Sequence, residues 1–148
     1  MSLSKTANPP DISFPTEIVL PNDTCEVMRV QEAIVRHLEA NCFSEKDIFG
    51  IKLALEEALV NAMKHGNQYD RSKKIRIAFH IHQEAFYIRI RDEGPGFDPT
   101  DVPDPTLEEN LERSCGRGLM LMKYYMNEVH YLERGNVCLM CKRRNGTP

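Results

Sequence analysis

Three polar residues recur at four-residue steps in a segment that has the pattern of a helix: Glu57, Asn61 and His65. At about 100° per residue they stack on one side of the helix, away from its apolar stripe. A carboxylate one turn before a carboxamide can combine a base with a neutral oxygen ligand. Such an oxygen suits Mg²⁺, which keeps most of its shell as water and phosphate oxygens. A solvated polar face would show the same spacing, so this pattern alone leaves both interpretations open.

A glycine-rich segment follows the second of two apolar strands. Asp92 ends that strand, and Gly94 and Gly96 come directly after it. A carboxylate in this place could accept a hydrogen bond from an exocyclic amine, and the glycines would let a planar ring approach the backbone. Asp and Gly are both common in turns, so an ordinary turn is the alternative interpretation.

A second glycine-rich segment, Gly116-Arg117-Gly118, opens a helix. Free backbone N–H groups at the start of a helix can hold phosphate where glycine removes the side-chain bulk. A lone Gly-x-Gly is weak evidence, because it is more often just a loop. The segment matches neither the G-x-x-x-x-G-K-[ST] phosphate loop nor the dinucleotide-binding fingerprint.

Hydrophobic periodicity predicts the elements that must position these residues. The order is a strand over 12–20, helices over 27–41 and 44–66, strands over 75–81 and 86–90, a helix over 119–126, and strands over 129–132 and 137–140. Between 94 and 118 lies a long irregular segment, of the kind that is usually functional. Adjacent antiparallel strands with helices on one face make an α+β two-layer sandwich.

The 148 residues suit one domain, which we expect to span 12–144 between tails at 1–11 and 145–148. The net charge of −3 argues against nucleic acid as a direct partner. No stretch approaches the roughly 18 apolar residues of a membrane span, and no signal peptide precedes the domain, so a cytoplasmic location is expected. The five cysteines are expected to be free thiols. Cys138 and Cys141 lie in one strand, where positions three apart face opposite sides.

In this order and on these elements, the three segments resemble the nucleotide-binding motifs of the GHKL ATPase and kinase superfamily. Residues 57–66 resemble its N box, residues 92–97 its G1 box and residues 116–122 its G2 box, and the segment between the last two resembles its ATP lid. The chain is most similar to the bacterial anti-sigma factor serine/threonine-protein kinases. The resemblance covers residues 14–144.

The resemblance implies the Bergerat ATP-binding fold, with ATP and Mg²⁺ as cofactors. It implies that Asn61 binds the Mg²⁺ that bridges the phosphates, that Asp92 accepts from the adenine amine, and that Glu57 is the general base that activates a protein serine hydroxyl. Glu56 is one step off the motif and is interpreted as a flanking residue. The remaining residues that it implies in ATP binding are His65, Gly94, Gly96, Arg113, Gly116, Arg117 and Gly118.

The resemblance also implies partners, namely a sigma factor and a small STAS-type anti-anti-sigma protein whose serine is phosphorylated. Transcription would then be regulated by partner switching, and the kinase itself would form a homodimer. Neither nucleic acid nor a membrane is implied as a direct partner.

Three alternatives remain beside this interpretation. The chain could be a non-catalytic module that binds ATP or only sequesters a partner, although the glutamate at position 57 favours a kinase. A histidine-kinase-type ATPase domain is disfavoured, because His37 is followed by Leu38 rather than by an acidic residue. A structural domain with a vestigial pocket is disfavoured, because Asn61, Asp92 and the motif glycines are all present.

Overall fold

A computed structural model describes residue 14, residues 17–96 and residues 114–144, with the backbone but not the side chains of residues 114–117. The predicted tails, most of the predicted lid and Arg113 lie outside these residues. The domain limits at 12 and 144 therefore stay predictions. In the part of the chain that is described, no helix is long and apolar enough to cross a membrane.

Five strands form one sheet in the order β1-β2-β3-β5-β4, and every neighbouring pair is antiparallel. In this register Ile77 faces Ile90 and Ile88 faces Met140, so the apolar positions of the three central strands share one face. The strands are β1 (Ile18–Pro21), β2 (Lys74–Ile81), β3 (Ala85–Arg91), β4 (Glu128–Leu132) and β5 (Val137–Arg143).

Local capping signals begin the first two helices. The Asp23 side chain accepts from the backbone N–H groups of Cys25 and Glu26, and the Ser44 side chain accepts from the N–H of Asp47 at 3.1 Å. Both residues have an extended backbone conformation just before the helix. From that position their side chains can accept hydrogen bonds from the unpaired N–H groups of the first turn. The helices are α1 (Thr24–Ala40), α2 (Glu45–Val60) and α3 (Ser114–Tyr125), and a π-helical segment (Asn61–Gly66) continues α2.

One apolar core lies between the helices and the sheet. The predicted stripe of α2 is buried at Ile51, Leu55 and Ala58, and that of α1 is buried at Ile34 and Leu38. These side chains form one cluster with those of the sheet face, which are Ile75, Ile77, Phe86, Ile88, Ile90, Cys138 and Met140. The structure therefore confirms the predicted α+β fold, with an antiparallel sheet and its helices.

Two element boundaries differ from the prediction. The first strand, Ile18–Pro21, is shorter than the predicted strand over 12–20. Phe14 and Glu17 lie outside it. The third helix begins earlier, at Ser114 rather than at Leu119. Glycine is a poor helix former, so Gly116 and Gly118 were interpreted as preceding the helix; packing of α3 on α2 overrides that local preference.

The two cysteines of β5 face opposite sides of the sheet, as predicted. Cys138 pairs with Tyr131 and belongs to the apolar core, whereas Cys141 pairs with Tyr87 and lies outside that cluster. The four cysteines whose side chains are described are free thiols. Burial raises the pKa of Cys138 to about 12, so this thiol is protonated and unreactive at neutral pH.

Candidate nucleotide-binding site

The helix that carries Glu57 and Asn61 changes its hydrogen bonding at Asn61. From there to Gly66 the chain forms a π-helix, and the N–H of Asn67 donates to the carbonyl of Ala62 at 2.8 Å. Such wide turns are rare and often mark functional sites. The prediction that His65 lies on the same side of the helix as Glu57 and Asn61 assumed the 100° rotation per residue of an α-helix. A π-helical turn rotates less per residue, so that prediction does not extend beyond Asn61. His65 is exposed. Its pKa is lowered, mainly by the limited desolvation of its ring and to a smaller extent by the positive charge of Lys64.

Glu57 and Asn61 meet at a glycine of the neighbouring helix. Gly118 on α3 is buried, and a Cβ atom at this position would lie 2.6 Å from Oε2 of Glu57 and 3.6 Å from Nδ2 of Asn61. Only glycine leaves room for the carboxylate here. The fold thus brings Glu57 and Asn61, from the first motif, into contact with Gly118, from the third motif, more than fifty residues later in the sequence.

Glu56 and Glu57 point in different directions. Glu56 lines a groove of about 610 Å³ between α1 and α2, and none of the predicted site residues lines that groove. Glu57 lies against α3 instead, and burial raises the pKa of its carboxyl, with a smaller contribution from the like charge of Glu56. A raised pKa favours proton uptake, which is what a general base must do. Of the two carboxylates, Glu57 is the one that lies at Gly118, and its role as a base stays a prediction.

Asp92 lies in a buried place at the end of β3. Its Oδ1 accepts a hydrogen bond from the N–H of Gly94 at 2.8 Å, and its carboxylate packs directly on Gly66. A Cβ atom at Gly66 would overlap the carboxylate, and one at Gly94 would overlap the carbonyl of Gly66. Burial raises the pKa of Asp92, and the hydrogen bond from Gly94 opposes that rise. The end of the first motif and the start of the second are therefore in contact.

The turn between β4 and β5 holds the backbone of this segment. The N–H of Asp92 donates to the carbonyl of Asn136 at 3.0 Å, and Nδ2 of Asn136 donates to the carbonyl of Asp92 at 3.4 Å. Gly96 has a φ of +82°, which favours glycine, and a Cβ there would overlap the backbone of Arg134. Packing alone therefore requires glycine at 96, and its approach to a nucleotide ring stays a prediction.

Three residues of this region were not identified as candidates from the sequence. Asn67 is fully buried: its Nδ2 donates to the carbonyl of Lys74 at 3.0 Å, and its Oδ1 accepts from the N–H of Glu93 at 2.8 Å. An Asn after a helix-ending Gly looks like an ordinary turn residue, as does Asn136 before β5. Tyr131 had a usable signal, because the alternation of β4 places it on the same face as Val129.

Tyr131 connects the two halves of the site. Its hydroxyl group donates to Sδ of Met122 on α3 at 3.9 Å, and Asn61, Cys138 and Asp92 are close enough to affect its pKa. Burial raises the pKa of this hydroxyl well above its usual range, so it is protonated at any working pH. Tyr131 therefore lies between the helical layer, at Met122, and the sheet, near both Asn61 and Asp92.

The second glycine-rich segment lies within the first turns of α3. The first four N–H groups of a helix have no partner inside it, and Gly116 and Arg117 fall among them because α3 begins at Ser114. These groups could receive phosphate oxygens. The structure describes the packing of Gly118 but no side chain of the three residues before it, and Arg113 lies outside the described residues.

The residues present fit a magnesium ion that is held mainly by a nucleotide. Among residues 17–96 and 118–144, no three His, Cys, Asp or Glu side chains are grouped as they would be around a metal. Mg²⁺ needs no such cage, since it is usually bound by one or two protein oxygens together with phosphates and water. The Asn61 amide, beside the Glu57 carboxylate, is a donor set of that kind.

Comparisons with known proteins support the same interpretation. Residues 20–142 match the family described as histidine kinase-like ATPase domain. The serine-protein kinase RsbW of Oceanobacillus iheyensis is 32% identical over 107 residues, which are 68% of each chain. The anti-sigma F factor of Clostridium perfringens is 30% identical over 106 residues, which are 68% of this chain and 75% of that one. These matches confirm the resemblance that the motifs indicated.

A solved structure shares the fold. The crystal structure of the RsbU and RsbW domains of a Mycobacterium tuberculosis protein aligns with a TM-score of 0.57 and 18% identity. The alignment covers 93% of this chain and 33% of that one. It supports the predicted GHKL fold across almost the whole length of the chain.

Proposed function

This chain belongs to the histidine kinase-like ATPase domain family, and on that premise we propose that it is an ATP-dependent serine-protein kinase that also acts as an anti-sigma factor. Relatives at about 30% identity carry the names serine-protein kinase RsbW and anti-sigma F factor. The observation that carries the proposal is the position of Glu57, whose carboxylate lies beside Asn61 and beneath Gly118. A module that only bound nucleotide would need no base there.

In the proposed reaction each site residue has one task. Asp92 accepts a hydrogen bond from the adenine amine. Asn61 supplies its amide oxygen to Mg²⁺, which neutralises charge on the phosphates when it is bound. The free N–H groups of Gly116 and Arg117, with Arg113, contact the phosphate oxygens. The ATP-binding set is completed by Gly118, His65, Gly94 and Gly96.

Glu57 takes the proton of the acceptor serine. As the serine oxygen bonds to the γ-phosphorus, the bond from that phosphorus to the bridging oxygen breaks and ADP leaves. A carboxylate within hydrogen-bond reach of the hydroxyl contributes about 10²–10⁴-fold to such a step. The rest of the rate enhancement comes from positioning and from charge stabilisation, because phosphoryl transfer needs little covalent help from the protein.

The proposed partners are those implied by the resemblance to the anti-sigma factor kinases. The kinase, as a homodimer in the cytoplasm, binds a sigma factor and phosphorylates a serine on a STAS-type anti-anti-sigma protein. Phosphorylation of this protein would regulate transcription by partner switching. Partner switching of this kind involves no direct contact of the kinase with nucleic acid or with a membrane.

The test is transfer of labelled γ-phosphate from ATP to the STAS proteins of the source organism, each purified singly. We expect one of them to be labelled on a serine, which mass spectrometry locates and which a Ser→Ala variant of that protein abolishes. If ATP binds but none of the STAS proteins is labelled, the kinase proposal is wrong. The chain would then be a sequestering module that uses ATP as a ligand, which pull-down of the sigma factors by the unmodified protein would detect.

A further inference from the structure

The groove between α1 and α2 changes in chemical character along its length. The two helices are joined by residues 41–44 and therefore run antiparallel. The groove extends from Thr24 and Met63 at one end to Arg36 and Lys52 at the other. Within it, each helix contributes residues at four-residue steps, which is close to one turn. These residues are Met28, Glu32 and Arg36 on α1, and Val60, Glu56 and Lys52 on α2.

Residues of the same class lie opposite each other across the groove, because the helices run in opposite directions. Met28 and Val60, which are 52% and 38% exposed, form an apolar layer. The two glutamates form an acidic layer one turn further along, and Arg36 and Lys52 form a basic layer after that. The groove therefore presents an apolar, an acidic and a basic layer in that order.

The charges of these layers are not neutralised within the chain. None of the four charged side chains forms an ion pair with another residue in the part of the chain that the structure describes. All four are exposed, so water and salt screen the repulsion between like charges across the groove. A partner with a basic group over the acidic layer and an acidic group over the basic layer would replace this repulsion with attraction.

A second copy of this chain carries that complementary pattern. A two-fold axis that is perpendicular to the helices and passes between the acidic and basic layers reverses the order of the layers. Glu32 then lies opposite the partner's Arg36, and the same pairing recurs between the two copies of α2. The apolar layer meets the residues one turn beyond the basic layer, which are Ala40 and Ile48. An axis parallel to the helices would instead place the acidic layer on itself, which like charges disfavour.

We propose that the groove between α1 and α2 is the contact surface of the homodimer, in which each helix packs antiparallel against its own copy. The inference rests on the proposed function, which takes the kinase to be a homodimer, and it adds the surface and the symmetry of that dimer. None of the predicted site residues lines the groove. The contact therefore does not involve the predicted nucleotide-binding site.

The test is the molar mass of the full chain in solution, measured by sedimentation equilibrium over a range of concentrations. Arg36→Glu and Glu32→Arg each bring like charges together across the two-fold axis. Each variant should therefore raise the dissociation constant of the dimer by about 100-fold or more. Arg29→Glu is the matched control, because Arg29 is an exposed residue of α1 that does not line the groove. This control should dimerise as wild type does.

A mixture of the two charge-reversal variants tests the pairing itself. The two acidic side chains of Arg36→Glu then meet the two basic side chains of Glu32→Arg, so a heterodimer should form although neither variant dimerises alone. The double variant Glu32→Arg/Arg36→Glu exchanges both charges and should dimerise as wild type does. Both positions are exposed, so the far-ultraviolet circular dichroism of every variant should equal that of wild type.

Three results would overturn the inference. A wild-type chain that stays monomeric would leave the groove to a helix of a different protein. Single variants that dimerise as wild type does would show that the dimer uses another surface. A mixture that stays monomeric would show that positions 32 and 36 do not face each other across the two-fold axis.

The same preparations distinguish this inference from the function on which it rests. If wild type transfers phosphate to a STAS protein but is a monomer, the kinase proposal stands and only the contact surface is wrong. If the mixed variants form the heterodimer but wild type labels no STAS protein, the contact surface stands and the kinase proposal is wrong.

Discussion

The carboxylate of Glu57 takes the space that a side chain at position 118 would need, since its Oε2 lies 2.6 Å from where the Cβ of that residue would be. The relationship gives Gly118 a structural reason that is independent of any phosphate contact. It also means that the position of the proposed base depends on α3, the helix that follows the segment between residues 97 and 113. A displacement of α3 would change this contact of the base.

Gly118→Ala should therefore slow phosphate transfer without unfolding the protein. The new methyl group displaces the end of a flexible side chain, and alanine favours a helix over glycine by about 1 kcal/mol, so the melting temperature should change little. A base displaced by about 1 Å can cost on the order of 10²-fold in rate. Transfer of labelled phosphate to the STAS acceptor, at saturating ATP, measures the effect.

Gly50→Ala is the control for this variant. Gly50 also lies at the contact of α2 with α3, and a Cβ there would be 2.9 Å from Cδ1 of Tyr125. It perturbs the same interface but does not touch Glu57, so transfer per folded molecule should equal that of wild type. If Gly118→Ala transfers phosphate at the wild-type rate, the reaction does not depend on the position of the Glu57 carboxylate beside α3.

The fall of the transfer rate at acidic pH should follow the protonation of Glu57, whose pKa is also raised by the charge of Glu56. A base must be deprotonated, and burial raises the pKa of Glu57, so transfer should fall as the pH falls through a value above that of an ordinary glutamate. Glu56→Gln removes the like charge that raises this pKa further. The limb of that variant should move to lower pH while remaining above the ordinary glutamate range, because burial is the larger cause.

Glu32→Gln is the matched control for the charge effect. Glu32 lines the same groove between α1 and α2 as Glu56, but it is not among the groups that raise the pKa of Glu57. Its profile should coincide with that of wild type. A limb that does not move in Glu56→Gln would mean that another group limits the reaction in acid.

Asp92→Asn should lose ATP affinity while the fold is kept. The asparagine oxygen can still accept from the N–H of Gly94, but its NH₂ group cannot accept from the adenine amine. Hydrogen bonds to a charged group contribute about 1.5–3 kcal/mol, so the dissociation constant should rise about 10–100-fold. Glu93→Gln alters the adjacent, exposed carboxylate and should bind ATP as wild type does.

The stability of the same variant has a defined sign. The pKa of Asp92 is raised in the folded state, so its favourable contribution is present below the pKa of the unfolded chain and is lost as the pH rises through the folded value. At neutral pH the neutral Asn avoids the cost of a buried charge. The melting temperature of Asp92→Asn without nucleotide should therefore equal or exceed that of wild type, and a clear decrease would contradict the assigned burial effect.

Periodicity was sufficient to predict the fold because the core is regular. The alternation of β2 and β3 and the apolar stripe of α2 each point to one face, and a two-layer sandwich is the arrangement that buries them together. The motifs predicted the site residues from residue types and spacing alone, and the structure brings Glu57, Asn61 and Gly118 together. Neither signal contains information about contacts between distant segments.

The contacts that build the site depend on such long-range packing. The start of α3 was misjudged because Gly118 weakens a free helix but here lies where the Glu57 carboxylate needs space. The π-helical segment could not be predicted, since the sequence of residues 61–66 reads as an ordinary helix end. Asn67 and Asn136 act through backbone groups of other segments, and no local pattern distinguishes them from turn residues.

Glu57→Gln tests the central claim, that this carboxylate is the base of a protein kinase, most directly. The variant keeps the size of the side chain and removes its ability to take a proton, and Glu56→Gln serves as its neighbour control. We predict ATP affinity with Mg²⁺ equal to that of wild type and a loss of phosphate transfer of about 10²-fold or more. Transfer at the wild-type rate, with ATP binding intact, would remove Glu57 from the reaction and contradict the account.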